Sequence, residues 1–184
     1  MNTSRLVYRS RQFWQALTTR PSEVDTELVA SILDPGQVEL FNLLQKSEQT
    51  HSIRVLKAVR KQGGDNIDLQ AAALLHDIGK VKEPLRLWER ILIVITNAIC
   101  PACVKEWGAA QGEVPSAMPG WQRAFVVAEQ HPAWGAELAS QCGASVMTVA
   151  LIARHQEKLS PEGAGEDSEE NRLLRILQAA DKNS

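Results

Sequence analysis

The chain has 184 residues, 44% of them hydrophobic and 23% charged, and 20 Lys+Arg against 22 Asp+Glu leave a formal net charge of −2. That profile excludes wholesale disorder and a global basic field for nucleic acid, and the length suits one domain with a full core. Charge is uneven only locally. Arg5, Arg9, Arg11 and Arg20 stand without an acid in the first twenty residues, and six acids against Lys46 follow over 21–50.

In chain order the periodicity predicts helices almost throughout, with little of the alternation that marks strands. Ser4–Leu17 and Ser22–Leu33 read as short amphipathic helices, and Asp34-Pro35 as an N-cap with proline at N1 opening a helix to about Leu44. A helix from about Ser47 to Lys61 is stopped by Gly63-Gly64, and Asp68 is a candidate cap for the apolar Leu69–Ile78. Helices follow at about Leu85–Ile99, Pro119–Glu129, Pro132–Gln141, Ser145–Gln156 and Asp167–Ala180. Gln111–Gly120 and Lys158–Glu170 are polar loops. The expected architecture is a single all-α bundle over 1–184, with a core at 36–183 and the helices of 1–35 packed on it.

Three cysteines do not make a disulfide framework. No apolar run reaches 18 residues, and the N-terminus MNTSRLVYRSRQFW lacks the apolar region of a secretory signal, so a cytoplasmic location is expected.

The chemistry concentrates on four histidines, His51, His76, His131 and His155, each on or beside a predicted helix. A lone histidine on a helix is usually a satisfied core or surface residue, so the case rests on their company. His76 precedes Asp77 at the end of the apolar run Ala71–Leu75, where a buried carboxylate needs a cation or a metal. Gly79 and Lys80 follow at once, setting a turn and an ammonium beside the pair. Asp181 ends the apolar segment LLRILQAAD, His131 precedes Pro132 at a helix junction, and His155 follows VMTVALIA.

The set His51, His76-Asp77 and Asp181, carried by THSIRV, LLHDIGK and LQAAD, resembles the HD-domain superfamily of metal-dependent phosphohydrolases, an all-helical family named for its His-Asp doublet. The segments EQHPAWGAE and IARHQEK, with His131 and His155, resemble the binuclear HD-GYP branch. The resemblance implies one ion on His51, His76, Asp77 and Asp181, and a second on Asp77, His131 and His155, with Asp77 bridging. Gln156 stands where HD-GYP proteins double the histidine, and no Gly-Tyr-Pro follows, which separates the chain from cyclic di-GMP as substrate. The cofactor expected is one or two divalent transition-metal ions, with iron, manganese, zinc, cobalt and nickel all compatible with imidazole and carboxylate.

The implied activity is hydrolysis of a small phosphoester or nucleotide by metal-activated water, with Asp77 and Lys80 as catalytic residues. Lys80, Arg54 and Arg154 are candidate substrate contacts; Arg54 lies one turn beyond His51 and Arg154 beside His155. The same ligand set also resembles di-iron HD oxygenases such as myo-inositol oxygenase, and a regulatory HD module is a third reading.

Two signals fall outside this scheme. Cys100-Pro101-Ala102-Cys103 is a lone CxxC with no second pair for zinc and no βαβ context, and reads as small apolar residues in a packed turn. Ile91–Val104 carries no charge and reads first as core, second as a homodimer interface and third as a membrane-surface contact beside Lys80, Lys82, Arg86, Trp88 and Arg90.

Overall fold

A computed structural model describes residues 25–109, 119–159 and 168–184 of the chain. The described residues form α-helices joined by short connections, with one 3₁₀ turn and no strand. The helix expected at Ser4–Leu17, the start of Ser22–Leu33 and most of the two polar loops lie outside the described residues.

Helix α1 (Thr26–Ala30) is capped by the Asp25 carboxylate, which accepts from the Leu28 amide. Helix α2 (Pro35–Asn42) starts at proline after an extended Asp34, as read from the sequence. Helix α3 (Lys46–Lys61) buries Ile53, Val55, Leu56 and Val59. It ends where Gly63 adopts φ +76° and the amides of Gly63 and Gly64 close on the carbonyls of Arg60 and Val59. That left-handed step is the reason a glycine stands there.

Helix α4 (Ile67–Leu75) is buried from Leu69 to Leu75 and lies at the centre of the fold. Its cap is Asn66, whose side chain accepts from the Leu69 amide, and not Asp68. The Asp68 carboxylate instead accepts from the Ser145 hydroxyl at 2.6 Å, tying α4 to the start of α8 (Val146–Arg154). A 3₁₀ turn, Ile78–Val81, follows α4, so the helix stops three residues earlier than its apolar pattern suggests.

Helices α5 (Leu87–Ile99) and α6 (Pro101–Gly108) form a corner against the first half of α7 (Gly120–Gln141). α6 is a helix the sequence reading passed over. Its Trp107 packs edge-on to Trp121 and Phe125, with centroids 5.3 and 5.2 Å away. The expectation that Ile91–Val104 is core holds at Val104, which is buried, and is corrected for α5: Ile91–Val94 are half-buried and Ile95 and Ile99 exposed, while Glu89 is the buried residue of that helix. Arg123 accounts for that burial, pairing with Glu89 at 2.9 Å and Glu83 at 3.0 Å.

The break expected at His131-Pro132 is also corrected, because α7 runs through it. Proline removes one helical hydrogen bond and crowds the preceding turn. Tertiary packing offsets that cost, since Phe125–Val127 on one side and Gly135, Ala136 and Ala139 on the other are buried. Helix α9 (Glu169–Lys182), capped by Ser168 at the Asn171 amide, closes the bundle over α3, α4 and α8. The main core joins α1–α4 with the second half of α7, α8 and α9; a smaller one gathers Leu85, Ala124 and Val127. No helix among the described residues is long and apolar enough to cross a membrane.

Candidate metal centre

His76 is the C-terminal cap of α4, and Asp77 opens the 3₁₀ turn behind it. The turn crosses α7 at very close range. A Cβ on Gly79 would stand 2.0 Å from the His131 carbonyl oxygen, so only glycine permits the approach. This crossing brings the doublet from α4 against His131 of α7. α8 ends at His155 on the same spot, and α3 and α9 supply His51 and Asp181.

All six residues expected as ligands therefore converge. His51 Nε2 lies 2.9 Å from Asp181 Oδ1, and His76 Nε2 lies 3.7 Å from the same oxygen and 3.6 Å from Asp77 Oδ2. Across the carboxylate, His131 Nε2 is 3.3 Å from Asp77 Oδ1 and 3.3 Å from His155 Nε2. Two groups of donor atoms, each within 4.8 Å, result: His51, His76 and Asp77, and Asp77, His131 and His155. Asp77 belongs to both. Asp181 lies beside His51 and His76, outside that group.

The rings of His76, His131 and His155 are oriented alike. Each places Nδ1 on a backbone carbonyl of its own helix: Ala73 at 3.0 Å, Val127 at 3.0 Å and Ile152 at 2.8 Å. An Nδ1–H that donates there leaves Nε2 as the lone-pair nitrogen turned inward, which is the tautomer a metal ligand needs. His76 Nε2 is buried with no hydrogen-bond partner, an arrangement that costs free energy unless something else satisfies it. The donor set and this orphaned nitrogen fit a transition-metal ion.

Electrostatics agree with that fit. Burial opposes charge on Asp77, but Lys80 and then His76 and His131 outweigh it and hold the carboxyl well below its ordinary range. Asp181 is likewise held down despite burial, chiefly by its hydrogen bond to His51. His155 is pushed down to about 3 by burial, then by the neighbouring His76 and His131, so it stays neutral and able to bind a metal.

Lys80 reaches back from the 3₁₀ turn to place Nζ 2.6 Å from Asp77 Oδ2, with its side chain about a quarter exposed. Burial works against its charge, but Asp77 and Glu48 raise its pKa above the usual lysine value. Glu48 was not singled out by sequence reasoning. It is buried, lies 3.9 Å from Lys80 Nζ and 2.7 Å from the Arg90 guanidinium, and links the two cations. Its position three residues before His51 on α3 is the signal that could have found it. Lys80 lines a small cleft together with Glu48, Arg90, Leu44, Val81, Pro84 and Leu85.

Arg54 shares the helix of His51 and buries its Nε without a hydrogen-bond partner. Arg154, also expected to face substrate, ties α8 to α9: it pairs with Glu157 at 2.6 Å and with Glu170, and bonds Asn171 at 3.1 Å. Two carboxylates already match its charge. Gln156 sits at the cluster, with its amide nitrogen 3.4 Å from His131 Nε2.

The all-helical fold brings four imidazoles and two carboxylates together, with His51 and Asp181 half-buried and the others buried, in groups that could hold a metal ion. More particularly, the family model for the HD domain matches residues 49–98, which include His51, His76, Asp77 and Lys80. The all-helical bundle is consistent with an HD-type fold, and HD domains are typically metal-dependent hydrolases. His131, His155 and Asp181 lie beyond the matched segment. No curated protein and no solved structure matches the chain.

Proposed function

We propose that this protein is a metal-dependent phosphohydrolase acting on a small phosphoester or nucleotide, working as a single domain over residues 1–184. The observation that carries this reading is Asp77. Its carboxylate is shared between two histidine groups while a lysine ammonium lies 2.6 Å away. One ion would be held by His51, His76, Asp77 and Asp181, and a second by Asp77, His131 and His155. Iron, manganese, zinc, cobalt and nickel all suit these donors.

Such ions, when bound, acidify water near neutral pH and draw charge from phosphoryl oxygens. The chain's own residues supply the rest. Carbonyl-anchored rings at His76, His131 and His155 hold the donors in one geometry, so no reorganisation is needed during reaction. Lys80, at the mouth of the cleft, faces the non-bridging oxygens of a phosphoryl group and stabilises their charge. Glu48 lies 3.9 Å from the Lys80 ammonium and adds to its hold, and Arg90 matches the charge of Glu48.

The test is metal analysis combined with a panel of phosphomonoesters, phosphodiesters and nucleotides, run with and without dioxygen. The expected result is bound transition metal with phosphate release that does not depend on dioxygen. Metal-free protein after reconstitution overturns the reading. So does substrate-dependent dioxygen uptake without hydrolysis, which would make the chain an oxygenase of the myo-inositol oxygenase kind.

A further inference from the structure

The metal-site reading leaves one motif unused, the CxxC at the α5–α6 corner. The structure joins Cys100 to Cys103 in a disulfide, with Cα atoms 5.3 Å apart, which corrects their reading as packing residues. We propose that this pair is a redox-active disulfide that exchanges with low-molecular-weight thiols and disulfides, at a site separate from the His/Asp cluster.

The corner does not need a covalent staple. The Cys100 amide already bonds the Thr96 carbonyl at 2.7 Å, the Cys103 amide bonds the Cys100 carbonyl at 3.1 Å, and Pro101 starts α6 at its N1 position. A ring closed over two intervening residues also removes little entropy from the unfolded chain. What the position offers is access. Cys100 and Cys103 are half-buried among exposed neighbours: Ile99, Pro101 and Ala102 all face solvent. In a Cys-x-x-Cys at the start of a helix, the released thiolate is stabilised, which makes it a good leaving group.

The third cysteine does not compete. α6 packs on the first turns of α7 through Trp107, whereas Cys142 caps the far end of that 22-residue helix, a span of about 33 Å. Exchange therefore stays within the pair. A thiolate of the reagent attacks one sulfur, the S–S bond breaks, and the other cysteine leaves as thiolate. A second reagent thiolate then attacks the mixed disulfide and releases the reagent as its own disulfide. Two electrons pass from two reagent thiols to the protein, and the two cysteine thiolates take up protons according to pH.

The experiment equilibrates the full chain in buffers of stepped reduced-to-oxidised glutathione ratio, quenches with an alkylating reagent and counts modified cysteines by intact mass. Wild type is expected to move reversibly between one and three alkylated cysteines within the glutathione range, with two-electron dependence on the ratio. Cys100→Ser and Cys103→Ser should each abolish the step, and Cys142→Ser should keep it, changing only the counts. A pair that stays closed throughout is structural and overturns the proposal. A pair that never closes, or that holds zinc as purified, overturns it as well. Since no outcome depends on hydrolysis, the result stands apart from that of the phosphohydrolase reading.

Discussion

His131 Nε2 and His155 Nε2 face each other at 3.3 Å inside the bundle, while each ring's Nδ1 is tied to a carbonyl of its own helix. With both Nδ1 positions protonated, two lone pairs point into one small space. Neutral imidazoles do not favour that arrangement, and a cation between them does. His131→Ala and His155→Ala are each expected to lower metal stoichiometry by about one ion per chain while leaving the other ion bound, because ligand loss removes one site's affinity. Metal analysis of both purified variants is the check. Unchanged stoichiometry in both would reassign these histidines to another role.

Lys80 should separate chemistry from metal binding. A charge-assisted contact aimed at transition-state charge contributes about 2–4 kcal/mol, or roughly a 30- to 1000-fold rate effect. Lys80→Ala is expected to keep its metal and lose turnover on that scale. Lys80→Arg should recover only part, since a planar guanidinium places its charge elsewhere. Steady-state kinetics with parallel metal analysis decides. A Lys80→Ala enzyme that turns over at the wild-type rate would remove the phosphoryl role.

Gly79 is a packing prediction. Its missing side chain admits the backbone of α7, with the His131 carbonyl oxygen 2.0 Å from where a Cβ would be. Backbone in a buried helix cannot step aside cheaply, so Gly79→Ala should cost about 3 kcal/mol by overpacking. Metal affinity should fall with it, because the doublet and His131 would be pushed apart. Gly120→Ala is the control: nothing lies within 4 Å of its Cβ position. Urea midpoints of the two variants should differ accordingly, and equal midpoints would refute the close approach.

The metal-free protein should be acid-sensitive in two stages. His155 is driven from its ordinary 6.5 to about 3, so below pH 6.5 the unfolded chain takes up a proton that the folded chain resists. Its contribution is full above that pH and declines as pH falls towards 3. Asp77 and Asp181 are held below their ordinary 3.8, so their contribution is present above that value and is lost as pH falls through the depressed values. Urea midpoints measured against pH should show both declines. His155→Asn should flatten the upper one, and a curve unaffected by that change would contradict the burial of a neutral imidazole.

The helical class, the order of the candidate ligands and the doublet's place at the end of a buried helix were all legible in the sequence. Each is a local property: 3.6-residue periodicity, an apolar run ending in His-Asp, and a Gly-Lys turn beyond it. Pro101, which starts α6 at its N1 position, is a local signal of the same kind. Other features depend on neighbours far along the chain. Asn66 caps α4 while Asp68, inside its first turn, is engaged by Ser145, and α7 continues through Pro132 because both its flanks are packed. Glu48 became part of the site only when Lys80 and Arg90 were brought to it from the segments after α4. The apolar face of α5 was read as core because hydrophobicity records what a residue tolerates, not what covers it. Convergence itself belongs to the tertiary structure. Residues 51 and 181 meet because α3, α4 and α9 pack against one another, and no pattern along the chain encodes the distance between them.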